Sequence, residues 1–356
     1  MIARANKFLA IFFLLSFFSQ RVHAWGERGH NIVCEVAVQL VKNPQLKDFL
    51  LARAAIAGHL CNVPDIYWKD LEGEAREGDW SHFEDPENLA YKAADIPLDL
   101  AKINQEWQGK PSKELGRSVR VDQDLGTLWW RADQFYRRAI AIGKTIPQGK
   151  DAVSAAPVPL ATPYDKAVLE FFVNLGLMGH FVGDNGMPYH NTADYDGWKR
   201  GHGGIHAYYE SDCVNALPLQ LSQLVWKKAR TMRGDFLSAN KSVLERMKIL
   251  GVLSYSEIPR IEKLDRLLSS QEYVPPVGDK KAVKIKAKRP SFAEQAPRFE
   301  SMIRQQLARS AALLALLWDE AYEKSGSPDL SIYRNYRYPF TPAYVAPDYL
   351  EKKISR

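Results

Sequence analysis

His180 with Asp184 and His206 with Glu210 each set a carboxylate four residues after a histidine. On a helix that spacing brings both side chains out of one face, about one turn apart. Imidazole nitrogen and carboxylate oxygen are zinc's ordinary ligands outside thiolate sites, and a catalytic zinc keeps a position open for water. His190 stands between the two pairs, just beyond Pro188, which should end the helix carrying His180 and Asp184. One such pair is weak evidence, but two with a third histidine between them predict a metal centre. His82 lies in the polar, aromatic stretch Asp79-Trp80-Ser81-His82-Phe83-Glu84-Asp85-Pro86, and Asp65 in the turn Asn62-Val63-Pro64-Asp65. Taken singly, His82 reads as a loop histidine bonded to backbone, and Asp65 as a helix N-cap ahead of Ile66-Tyr67-Trp68. His59 and His202 have no comparable partner and read as ordinary polar residues.

A further ligand is expected at the start of the processed chain. Arg4 and Lys7 precede an apolar run from Phe8 to Phe18, and Val22-His23-Ala24 places small residues ahead of a cut before Trp25. That pattern is a cleavable export signal, which puts the mature protein outside the cell or in the periplasm. The run is too short for a transmembrane helix. Cleavage frees the Trp25 α-amino group, whose ordinary pKa of about 8 lets it shed its proton and bind a metal. His30 follows five residues later. In a chain that retains residues 1–24 the Trp25 nitrogen is an amide, so His30 should lie near Asp184 without a competent site there.

The precursor has 356 residues, and removing 24 leaves 332, enough for a large apolar core. The formal charge of +6 includes Arg4, Lys7 and Arg21, so the mature chain carries about +3, too weak a bias to argue for nucleic acid by itself. Cys34, Cys61 and Cys213 allow at most one disulfide and one free thiol, with the pairing left open.

The elements that must position these residues read as helices. Apolar residues recur at helical period over Asn31–Val41, Asp122–Lys144, Asp165–Val182, Leu217–Arg230, Ser242–Leu250, Ser256–Leu268 and Ala293–Lys324. Sustained β alternation is hard to find. Pro147–Pro163 reads as a surface loop, residues 270–291 as a basic linker or surface loop, and residues 333–356 as an irregular tail. The expected fold is mainly α: one helical domain over residues 25–356 with long loops. Trp129, Trp130 and Trp318 are expected to fill helix contacts.

Together, Trp25-Gly26-Glu27-Arg28-Gly29-His30, His82-Phe83-Glu84-Asp85, His180-Phe181-Val182-Gly183-Asp184 with Pro188 and His190, and His206 with Glu210 resemble a known superfamily. It comprises the zinc-dependent secreted single-strand nucleases (3′-nucleotidases) of moulds and plants and the bacterial zinc-dependent phospholipases C. The likeness spans Trp25–Glu210 and says little about Ser211–Arg356. It implies three zinc ions in a helical fold. One would take Asp65, His82, His180 and Asp184, and a second His190, His206 and Glu210. The third would take the amino nitrogen and carbonyl oxygen of Trp25 with His30, sharing Asp184 as a bridge. The implied reaction is phosphodiester hydrolysis by a zinc-activated water that Asp65 also orients, with the third zinc neutralising charge on phosphate and leaving oxygen.

The tight Trp25-to-His30 spacing resembles the nuclease branch. So do Phe83 and Asp85, whose counterparts there stack on a base and accept hydrogen bonds from it. Glu210 resembles the phospholipases, since nucleases usually carry Asp there. Asp184-Asn185-Gly186-Met187-Pro188 and Gly203-Gly204-Ile205 also depart from the Gln-Pro and Gly-Gly-Asn runs common in nucleases. The expected substrates are therefore single-stranded DNA or RNA and nucleotides, with phospholipid head groups as the alternative. No protein partner is expected, and the chain is read as a monomer. A non-catalytic zinc protein is disfavoured, because His190, His206 and Glu210 supply only three ligands.

Overall fold

The computed structural model describes residues 25–71, 80–155, 162–275, 282–335 and 341–350, so the predicted export signal lies outside the described residues. The chain is mainly helical, as its periodicity predicts, with two small two-stranded antiparallel sheets.

The central element is the helix Pro163–Gly186. Pro163 sits at its first position, where the missing N–H costs nothing, and the Thr162 side chain accepts from the Asp165 amide at 3.1 Å. Its sequence is apolar nearly all round and nearly every residue from Val168 onward is buried, as befits a helix enclosed by others. Helices Gly26–Leu40, Leu128–Gly143 and Phe292–Lys324 surround it. The last of these is 33 residues long and buries a stripe that includes Phe299, Ile303, Leu307, Leu314 and Trp318. Trp318 donates to the Leu175 carbonyl and Trp129 to the Asn185 side chain, so both tryptophans join helices as expected.

Two glycines set how closely the site-bearing elements approach. A Cβ on Gly183 would stand 2.8 Å from the His30 ring, so only glycine lets the first helix bring His30 against the central one. Gly126, at φ +84°, breaks the predicted Asp122–Lys144 helix into Val121–Asp124 and Leu128–Gly143. The break lets Gly126 bridge to Glu84, docking the His82 loop at the head of the second piece.

The disulfide left open by the sequence joins Cys34 to Cys61, with Cα atoms 6.6 Å apart, and Cys213 is a buried free thiol. The segment read as a basic linker is corrected. Glu272–Val274 and Val283–Ile285 pair as an antiparallel hairpin in the register Tyr273↔Lys284. Val283, Ile285 and Ala287 alternate with Lys284, Lys286 and Lys288, a period-two pattern hidden by the density of lysine, although Val283 and Ile285 stay exposed. The predicted helix Ser256–Leu268 is shorter, Ile258–Leu264, and the described parts of the tail lack regular structure. Among the described residues no helix is long and apolar enough to cross a membrane.

Candidate metal centre

The seven predicted side-chain ligands from Asp65 to Glu210, with His30 and Trp25, converge in one buried region, and none of the nine residues is more than 3% exposed. They form three groups at ligand spacing: His30 with His180 and Asp184, Asp65 with His82 and His180, and His190 with His206 and Glu210.

The first two groups share the central helix. His180 and Asp184 leave one face of it, and the two Asp184 oxygens point to different neighbours. Oδ1 lies 3.2 Å from His30 Nε2, while Oδ2 lies 2.9 Å from His82 Nδ1 and 3.2 Å from His180 Nε2. A carboxylate so divided is shaped to bridge two cations. Asp65 lies on the short helix Val63–Ile66 and is not an N-cap, which corrects the reading of that residue taken alone. Its oxygens stand 3.7 Å from His82, 3.8 Å from His180 and 3.9 Å from His30. The His180 Nδ1 donates to the Cys61 carbonyl at 2.7 Å, which turns Nε2 inward, 2.9 Å from His82 Nδ1.

The third group repeats that device. His190 Nδ1 donates to the His82 carbonyl at 2.6 Å and His206 Nδ1 to the Tyr195 carbonyl at 2.9 Å. Both Nε2 atoms therefore present lone pairs, and they face each other at 3.1 Å. Glu210 Oε2 completes the triangle, 3.0 Å from His206 and 3.5 Å from His190. Ligands about 2.05 Å from a tetrahedral ion stand roughly 3.3 Å apart, so these edges fit such an ion. Without a cation, the two lone pairs would repel. Glu210 sits in the π-helical turn Tyr208–Cys213, a local widening of a kind that is frequent at functional sites.

Orphaned atoms give the same answer. His30 Nδ1 and Glu210 Oε1 make no hydrogen bond although both are buried, and His30 Nε2 has only Asp184 Oδ1, 3.2 Å away in poor geometry for one. Such groups ordinarily find partners, and a shared cation is the partner this donor set fits. The electrostatics divide. Burial lowers His82 to about 3, with Lys69 nearby, and lowers His206 to about 4, which favours neutral rings able to bind a cation. Burial works against charge on His180 too, but Asp184 and Asp65 outweigh it and its pKa rises. Burial raises Glu210 to about 8, partly offset by His190.

As expected where Trp25 is preceded by further chain, His30 reaches Asp184 while the Trp25 nitrogen is used elsewhere. It donates to Glu210 Oε2 at 3.1 Å, and the Trp25 indole donates to the Gly183 carbonyl at 2.7 Å.

Phe83 is half-buried, and one face of its ring lies parallel to the His190 imidazole, with centroids 4.6 Å apart. Tyr195, 40% exposed, meets it edge-on at 5.8 Å. Asp85 is half-buried beside them. Burial, with Glu87 and Asp124 nearby, pushes its carboxyl well above the usual range.

Three features escaped the sequence reading. Lys69 forms an ion pair with Asp65, four residues earlier, and its side chain remains 18% exposed. Burial works against its charge, but Asp65 more than compensates, and its pKa rises. The i, i+4 spacing was visible, but Asp65 had been assigned to a turn, where that spacing carries no meaning. The exposed ring of Tyr195 gave no periodic signal. His202, read as an ordinary polar residue, has a buried carboxylate partner in Asp265 at 2.8 Å. His59 meets the Tyr67 ring edge-on and lies outside the three ligand groups. Comparison with known protein families and with curated proteins found no match to this chain.

Proposed function

We propose that the mature chain is an exported zinc-dependent phosphodiesterase that hydrolyses single-stranded nucleic acid, with 3′-nucleotidase character. The observation that carries this reading is the triangle of His190, His206 and Glu210: three inward ligands at tetrahedral spacing, with no fourth in that group. A structural zinc is ordinarily closed by four protein ligands, whereas an open position admits water. Zinc held by these groups supplies Lewis acidity and a water that ionises near neutral pH.

Asp65, His82, His180 and Asp184 would hold one ion, and Asp184 would share its other oxygen with the ion of His30 and the Trp25 terminus. Asp65 faces three histidines and would take up the proton side of the attacking water. Lys69, ion-paired with Asp65 and 18% exposed along its side chain, would bring its ammonium to the phosphate as negative charge develops there. The Phe83 ring, backed by His190, and the edge-on Tyr195 suit a flat base. Stacking of that kind contributes roughly 1–3 kcal/mol per base without sequence preference. Asp85, half-buried beside the ring, would accept hydrogen bonds from the base edge. Glu210 in place of Asp does not decide for lipid, because a longer carboxylate can reach the same ion.

The deciding experiment incubates zinc-loaded protein beginning at Trp25 with single-stranded DNA, RNA and a choline phospholipid, each with and without chelator. Chelator-sensitive cleavage of the nucleic acids is expected. Lipid turnover without nucleic acid turnover, or no turnover at all, would overturn the proposal.

A further inference from the structure

His206 and Glu210 are held from outside by a part of the chain remote in sequence. The segment from Asp194 to His206 folds back on itself, with the His202 amide on the Gly197 carbonyl at 2.8 Å and the Ile205 amide on the His202 carbonyl at 3.0 Å. The His206 amide is taken by Asp196 at 3.2 Å. These bonds are internal to the segment. Arg200 ties it to Glu87 and Glu262 at 3.9 Å, and the flanks of the hairpin tie it more closely. Gln271 accepts from the Gly203 amide and donates to the Trp198 carbonyl at 2.6 Å, and the Ala287 amide donates to the Gly203 carbonyl at 3.3 Å.

Arg289 is the centre of this attachment. Its guanidinium donates to the His202 carbonyl at 2.7 Å and the Gly203 carbonyl at 3.1 Å. Two further bonds of 2.9 Å run to Asp265, whose side chain is fully buried and also faces His202 Nδ1. The same guanidinium lies 5.2 Å from the centre of the Tyr208 ring, and the Tyr208 hydroxyl donates to the Pro290 carbonyl at 2.9 Å. Arg289 thus grips the backbone just before His206 and the first residue of the turn carrying Glu210. A planar, five-donor group locked by a carboxylate suits that double task, and lysine could satisfy only part of it.

We propose that Arg289, oriented by Asp265, is the positioning residue for the His190–His206–Glu210 pocket, setting its affinity for one metal ion without touching that ion. The inference rests on the zinc reading above and adds a dependence specific to one pocket.

The test replaces the pair together, Arg289→Met with Asp265→Leu, so that no uncompensated charge stays buried. Arg289→Lys is the partial rescue, and Gln271→Ala the milder variant should the double one fail to fold. Zinc per chain is measured by equilibrium dialysis over a range of free zinc, and amide exchange is followed in the metal-free proteins. One ion should bind about 10–100-fold more weakly in the double variant, the loss typical of groups that orient a ligand. The other ions should bind as in the parent, with Arg289→Lys intermediate and Gln271→Ala shifted the same way by less. Exchange should quicken over residues 203–210 and stay unchanged in the Pro163–Gly186 helix. Equal affinities in parent and variants, or equal weakening of every ion, would overturn the inference. A parent chain that takes up no zinc would instead overturn the zinc reading on which it rests.

Discussion

The two sides of the candidate metal centre are built differently. Asp65, His82, His180 and Asp184 gather on or against one enclosed helix, whose near side is stitched by the Cys34–Cys61 disulfide and whose His180 is anchored on the Cys61 carbonyl. His190, His206 and Glu210 sit on a 3₁₀ turn, the end of a folded-back loop and a π-helical turn. A helix packed on all sides holds its ligands through its own hydrogen bonds and neighbours. A loop must borrow its rigidity, here from the 272–285 hairpin and Arg289. One side is therefore robust by construction, and the other depends on distant contacts.

The largest effect should come from Asp184, the one carboxylate aimed at two groups. Asp184→Asn should lower activity by more than about 100-fold, since even partners that only orient a ligand are worth 10–100-fold. Metal analysis should show loss from two positions, and unchanged stoichiometry would break the bridging assignment. Next comes the terminus. A protein with one extra Met ahead of Trp25 should hold one ion fewer, because its Trp25 nitrogen is an amide already directed at Glu210. If such a protein binds and cleaves like the mature one, terminal coordination is wrong.

Lys69 sharpens the comparison from the rigid side. Lys69→Met removes the ammonium paired with Asp65 and should lower kcat by about 100-fold or more, the usual cost of losing one charge-stabilising donor. Zinc content should be preserved, because the lysine competes with the metal for Asp65 rather than supporting it. Parallel loss of zinc and rate would mean that Lys69 merely keeps the pocket in shape.

The rigid side was the more legible in sequence, and the reason is geometric. His180 and Asp184 lie within one helix, where spacing alone fixes their relation, and Pro188 marked where that helix stops. The pairs that fix the other side, Arg289 with Asp265 and Asp265 with His202, span 24 and 63 residues, beyond the reach of any local period. The hairpin was missed because its strands are three residues long and its lysines looked like a solvated charge run. The convergence of Trp25 with Glu210, 185 residues away, came into view only through the ordered set of motifs, not from spacing.

The smallest effect concerns the seam between the sides. Glu84 follows the loop that supplies His82, and its amide donates to the His190 carbonyl at 2.8 Å. Its carboxyl is buried, and neither oxygen accepts a well-formed hydrogen bond. Burial, with Asp85 beside it, pushes this group well above its ordinary value of 4.5, although the amides of Leu128 and Trp129 pull the other way. A carboxyl with a raised pKa binds its proton more tightly in the fold than in the open chain. Its contribution to stability is therefore complete below about pH 4.5 and is lost as pH rises towards the folded value. Glu84→Gln carries no charge at any pH and keeps the shape. At pH 7 it should stabilise the metal-free protein, because no buried carboxyl then has to ionise or take up a proton, and at pH 4 it should change stability by almost nothing. Urea unfolding at the two pH values measures both. An equal gain at pH 4 and pH 7 would mean that packing, not charge, sets the cost at the seam. A loss at pH 7 would mean that the ionised carboxylate is needed there, holding the head of the Leu128–Gly143 helix against the His82 loop and thereby joining the two sides.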